Sequence, residues 1–145
     1  MTTHKSGQSA GQDFARRLFV YNGGFLNARL RRILTLSGWH VTTGRPQQGD
    51  WVGTWGKSPT SPRGEAGAAH TGAPGLRSED AFLRSVHPGR SGEPPLGLML
   101  DQRGVHFDSA QPSDLEHLLA HHPLDDTALL DRARQAIDRL KRLDL

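Results

Sequence analysis

The sequence has no cysteine among its 145 residues, which excludes disulfides, thiolate metal sites and a thiol nucleophile. That absence fits a cytoplasmic protein. No apolar run approaches the ~20 residues that a membrane-spanning helix needs. Residues 1–12 are polar and lack the apolar stretch of a signal peptide, so they read as a disordered leader before a unit over 13–145. A GxGxxG fingerprint and a Walker loop are both missing, and no third ligand accompanies the paired histidines His117 and His121, so neither a cofactor nor a metal is expected. Internal repeats and long low-complexity linkers are absent as well.

What is present suffices for one modest core. Hydrophobic residues make up 34%, and the 17 glycines raise this to about 46%, close to ordinary soluble domains. Charged residues are 23%, so disorder throughout the chain is not expected. The net charge is +3, and 15 of the 18 basic residues are arginine. Six arginines and one aspartate lie between Asp13 and Arg45, whereas Ser113–Leu145 carries seven acids and five bases. A basic front half suits an anionic ligand or surface, because guanidinium forks match carboxylate and phosphate.

Hydrophobic periodicity orders the elements. Leu18–Tyr21 reads as a buried strand, broken by Asn22-Gly23-Gly24. Phe25, Leu26, Leu30, Ile33 and Leu34 follow at helical spacing up to Gly38, a C′ glycine. Trp39–Thr42 and Trp51–Gly56 read as strands around a turn-rich segment. Pro59–His70 reads as a helix with Ser58 or Ser61 as cap, weakened by Gly64 and Gly67. Leu76–Ser78 reads as a strand with Glu79 and Asp80 at its exit. Leu96–Leu100 and Val105–Phe107 flank a Gly-containing loop and predict a hairpin. Ser113–Glu116 carries a capping-box pattern, and a last helix from about Asp125 puts Leu130, Ala133, Ile137 and Leu140 on one face. The alternation predicts an α/β architecture with a mainly parallel sheet and two C-terminal helices.

Two strand exits carry the chemistry. Trp55-Gly56-Lys57-Ser58 offers a stacking face, close backbone approach and a charge, which suits a sugar or nucleotide. Glu79 and Asp80 are followed within five residues by Arg84 and Ser85. Adjacent residues of an extended segment point to opposite sides, so one acid could face a ligand while the other pairs with Arg84. Gly23-Gly24, where a strand feeds a helix, is a weaker candidate for anion binding. Arg29, Arg31 and Arg32 read as a solvated basic helix face, with no groove-entering motif to suggest nucleic acid. The expected substrate-binding set is therefore Trp55, Gly56, Lys57, Glu79, Asp80, Arg84 and Ser85, gathered at one mouth of the sheet.

Four boxes in order resemble a known family. Trp55-Gly56-Lys57-Ser58-Pro59 resembles W-G-x-x-P, and Leu76–Ser85 resembles R-x-E-D-G-F-[LV]-R-S. Gly92–Leu96 with Asp101–Asp108, then Gln111–Glu116, resemble the P-P-L box, the D-x-x-G strand pattern and the P-S-x-L-E helix start of the capsular polysaccharide biosynthesis and export proteins. The resemblance covers residues 18 to 145. It implies a Rossmann-like half of a GT-B-type β-Kdo glycosyltransferase module, cytidine-activated Kdo as donor, and a phospholipid or Kdo-oligosaccharide acceptor at the inner face of the inner membrane. The family's catalytic aspartate and donor-binding segments come after the matched region, so no catalytic residue is carried over and the chain alone is expected to be inactive. Departures are Ala81 for Gly, Gly75 and Ser78 at apolar strand positions, Gly67 within a helix, and Gly97 for Ser. A catalytically inactive anion-binding or adaptor module is the alternative.

Overall fold

The structure is a computed structural model that describes residues 16–85, 87 and 92–143. The expected leader over 1–12 lies outside these. Five strands form one sheet in the order β2-β1-β3-β4-β5. They are β1 (Arg16–Val20), β2 (Trp39–Thr42), β3 (Trp51–Trp55), β4 (Gly75–Asp80) and β5 (Leu98–Asp101). The first four run parallel and β5 is antiparallel to β4.

The helices divide between the two faces. After β1, Asn22 accepts the Gly24 N–H and starts a short 3-10 turn, Gly23–Leu26. Asn27 then caps α1 (Ala28–Leu36) through the Arg29 N–H, so the expected single helix from Phe25 is two pieces joined at an asparagine. Phe25 and Leu34 pack with Leu18, Val20, Trp39, Val41 and Leu76 to form the core on this face. Full burial of such a side chain stabilises by about 1.5–3 kcal/mol. Trp39 meets Trp51 edge-on at 5.3 Å, and Phe25 meets Trp55 at 5.7 Å.

The opposite face carries α2 (Ser61–Thr71). Its N-terminus lies later than expected, and Thr60 at the cap position makes no side-chain bond to the helix backbone. The two glycines that weaken this helix in isolation are the points where it lies on the sheet. A Cβ at Gly64 would come 2.7 Å from Thr54 Cγ2, and one at Gly67 would come 2.9 Å from the Tyr21 hydroxyl. Propensity is given up there for close approach.

The expected hairpin between Leu96–Leu100 and Val105–Phe107 is not formed. Leu98–Asp101 pairs backwards with β4, in the register Asp80 opposite Leu98 and Arg77 opposite Asp101. The cause is Asp101, which is buried. Its carboxylate accepts the N–H groups of Arg103, Gly104 and Asp114 at 2.7–2.8 Å, turning the chain away from β5 and tying it to the next helix. That helix, α3 (Asp114–His121), has the predicted capping box between Ser113 and Glu116. It is followed by α4 (Thr127–Arg142).

The return from β2 to β3 has no helix. Residues 43–50 cross the outer side of β1 instead, with Pro46 buried and Gly44 against the Phe19 ring. Buried Asp50 anchors the crossing. It receives Arg17 Nε at 2.7 Å and Nη2 at 2.9 Å, and the Gln47 N–H at 2.6 Å. Replacing Asp50 with Ala removes all three bonds. Urea denaturation is expected to show a loss of about 2–3 kcal/mol, in the range for hydrogen bonds to charged groups. An unchanged midpoint would mean that the loop is held by packing alone.

Candidate functional site

The carboxyl ends of the parallel strands lie at one edge of the sheet, where open α/β sheets collect ligands. β4 runs longer than predicted and draws both acids into the strand. The pleat then sends them to opposite faces.

Asp80 lies on the α1 face, two residues beyond Ser78, which is opposite Trp55. Its Oδ2 pairs with Arg84 Nε at 2.5 Å, and Arg84 Nη1 donates to the Ser85 hydroxyl at 2.9 Å. The Arg84 carbonyl accepts the Leu96 N–H. This chain of bonds closes the base of the β4–β5 connection. Asp80 Oδ1 and the hydroxyl of fully buried Ser78 have no hydrogen-bond partner among the described residues. Asp80, Arg84 and Ser85 therefore form one network, while Trp55 shares their face and rests on Phe25.

Glu79 lies on the α2 face, directly over Gly56. A Cβ at Gly56 would collide with the Glu79 carboxylate, and the backbone there has φ 37°, so glycine is required twice over. The Gly56 N–H donates to the Ser78 carbonyl at 3.0 Å, which holds the turn against β4. Glu79 makes no ion pair closer than 4 Å among the described residues. Burial pushes its carboxyl pKa above the usual 4.5, the neighbouring Asp80 charge pushes the same way, and the Asp80 N–H and nearby His106 pull it down.

Lys57 is held away from the carboxylate of Glu79. Its Nζ pairs with Asp108 at 2.7 Å, joining the turn after β3 to the loop after β5. This pairing and the Asp108 contact with the Ala110 N–H lower the Asp108 pKa. The same loop brings in His106 and Phe107, which the expected hairpin places in its second strand. His106 lies 5.7 Å from Phe82 and 5.2 Å from Phe107, centroid to centroid. Phe82 and Phe107 remain 78% and 56% exposed and flank His106, the ring near the partly buried Glu79 carboxyl group. The signal for this aromatic rim was two aromatic residues directly after the Asp101–Gly104 turn, which alternation made look like a strand.

The single expected mouth is thus two neighbouring groups divided by the sheet. Gly56, Glu79 and His106 gather on one side, and Trp55, Asp80, Arg84 and Ser85 on the other. His117 and His121 stack at 4.3 Å, and His121 Nδ1 is 2.9 Å from the His117 carbonyl, which occupies that nitrogen within the helix. No group of three metal-ligating side chains exists among the described residues.

A mostly parallel five-stranded sheet with helices on both faces, and with polar and aromatic groups at its carboxyl edge, is a Rossmann-like α/β fold. Residues 50–141 match the capsule polysaccharide biosynthesis protein family, and the chain belongs to that family. It is 32% identical over 135 residues to the capsule polysaccharide modification protein LipA of Neisseria meningitidis serogroup B, covering 90% of this chain and 19% of that protein. It is 37% identical over 79 residues to the lipopolysaccharide-processing protein LpsZ of Rhizobium meliloti, covering 54% of this chain and 18% of that one. The chain thus spans under a fifth of these relatives. Among solved structures, it superposes on a β-Kdo 2,4 transferase, KpsC of Thermosulfurimonas dismutans. The TM-score is 0.74 at 28% identity, covering 89% of this chain and 40% of that one. The β-Kdo 2,7 transferase of the same protein, at 22% identity and TM-score 0.60, shares the fold over 88% of this chain and 43% of that one.

Glu79 makes stability depend on pH. A carboxyl group with a raised folded-state pKa binds more protons folded than unfolded within the window between the two values. Its contribution is therefore most favourable below 4.5 and declines as pH rises through the folded value. Glu79→Gln removes that decline. Urea midpoints from acid to neutral pH are expected to show the variant gaining on the parent as pH rises, and a constant difference would place Glu79 in an ordinary solvated setting.

Proposed function

We propose that this chain supplies the carbohydrate-facing half of a β-Kdo transferase acting in capsule assembly. Glu79, Gly56 and the rim of Phe82, His106 and Phe107 then form the wall that meets the sugar. One observation carries the reading: a half-buried carboxyl group with no ion pair among the described residues, close to His106 and the two exposed aromatic rings that flank it. Sugar hydroxyls donate to such a carboxylate and replace the water it has lost, while ring faces cover the apolar side of a pyranose. Trp55, Asp80, Arg84 and Ser85 shape the wall from behind, and Lys57 locks its loop to Asp108. An adaptor would leave both acids fully paired or solvated, and Glu79, half-buried with no ion pair among the described residues, is neither.

On this reading cytidine-activated Kdo is the donor, and a phospholipid or Kdo-oligosaccharide is the acceptor, of the complete enzyme. The place of action is then the cytoplasmic face of the inner membrane. Among the described residues no helix is long and apolar enough to cross a membrane. No residue here is assigned to catalysis.

The 145-residue chain is expected to show no turnover of cytidine-activated Kdo with a fluorescent Kdo-terminated acceptor. It should nevertheless bind that acceptor glycan in calorimetry, and Glu79→Gln or Phe107→Ala should weaken binding about tenfold, the loss of one charge-assisted hydrogen bond or one ring contact. Binding unaffected by both substitutions would overturn the assignment of this wall.

A further inference from the structure

Away from Glu79, the same edge of the sheet holds a second recess. A cavity of about 380 Å³ opens where β1 and β2 end, walled by Val20, Tyr21, Asn22, Gly23, Leu26, Thr43, Gly44 and Arg63. Two features suit it to a ligand. Its floor is apolar, and its one charged wall residue, Arg63 on α2, has no carboxylate partner among the described residues. The Arg63 guanidinium instead rests 5.9 Å from the centre of the Tyr21 ring. No acidic side chain lines the cavity. Gly23 and Gly44 leave the mouth open, since a Cβ at Gly23 would meet nothing within 4 Å and one at Gly44 only the Phe19 ring at 3.8 Å.

The walls are firmly placed. Asn22 accepts the Gly24 N–H and donates from Nδ2 to the Thr60 hydroxyl at 2.9 Å, which ties the β1 exit to the turn that leads into α2. Gly67 lets α2 approach the Tyr21 ring, so Arg63, one helical turn earlier, is carried over the same ring. Arg63 is exposed and rests against the Tyr21 ring, so its guanidinium donors are available to an anion that enters the cavity.

We infer that this cavity binds an oxyanion, a carboxylate or phosphate, carried on a compact organic body. Arg63 supplies the charge, and Val20, Tyr21 and Leu26 cover the body's apolar side. The inference does not depend on the role proposed for Glu79. Its test is amide NMR of the full chain, titrated separately with inorganic phosphate, glycerol 3-phosphate and free Kdo, whose carboxylate sits on a sugar ring. Saturable shifts at Gly23, Gly44 and Tyr21 are expected with the two organic anions, and binding about tenfold weaker with bare phosphate. The preferred organic anion distinguishes a phospholipid headgroup from an acidic sugar. Arg63→Gln should weaken these shifts about tenfold, the scale of a charge-assisted contact, and Arg63→Lys should restore part of the affinity. Glu79→Gln should leave them unchanged, so failure of the Glu79 assignment is read separately. Absence of saturation with all three anions, or shifts that persist unchanged in Arg63→Gln, would overturn the proposal.

Discussion

Everything at the ligand edge depends on β3 lying beside β1, and the two-pronged bond from Arg17 to buried Asp50 holds the segment that puts it there. A parallel crossover ordinarily relies on a helix to cover the sheet. Here eight residues cross β1 with one ion pair, one buried proline and one glycine against a ring. That crossing passes over the Phe19 side of β1, and because β1 and β3 pair in parallel their exits open next to each other. The Asn22–Thr60 bond then ties the two exits into one surface.

The strand pleat does the rest. Two consecutive acids in β4 cannot share an environment. One is drawn into a network that closes the β4–β5 connection through Arg84 and Ser85. The other lies half-buried over a glycine turn, with no ion pair closer than 4 Å among the described residues. This asymmetry gives two adjacent carboxylates opposite surroundings with a single residue's offset. It also explains why Gly56 allows no other residue: the side chain that would fill its space is already Glu79.

Much of this was legible in the chain. Glycine and asparagine punctuation marked β1, β2 and β3, and the four family boxes in order named the family that residues 50–141 confirm. The opposed directions of Glu79 and Asp80 follow from strand geometry alone. Three features were not legible, each for a physical reason. The false hairpin arose because alternation around Asp101–Gly104 looks the same whether the second run pairs or not; the three N–H groups gathered by Asp101 decide it, two of them local and one from Asp114. The β4 boundary was missed because Glu and Asp are poor strand formers, and pairing with Met99 and Leu98 overrides that preference. The aromatic rim required knowing that the loop after β5 folds back to Lys57, a long-range ion pair that no local pattern encodes.

The last helix has a consequence of its own. α4 buries none of its sixteen residues, and Leu130, Ala133, Ile137 and Leu140 repeat along it at steps of three and four. A helix of that length is marginal in water when its apolar stripe stays partly exposed along its whole length. Its amides should thus trade hydrogen for deuterium far sooner than those of β1 and β3. Heat or urea would melt it as a gradual, separate event beneath the sharp collapse of the sheet, so circular dichroism and tryptophan fluorescence would trace two different curves.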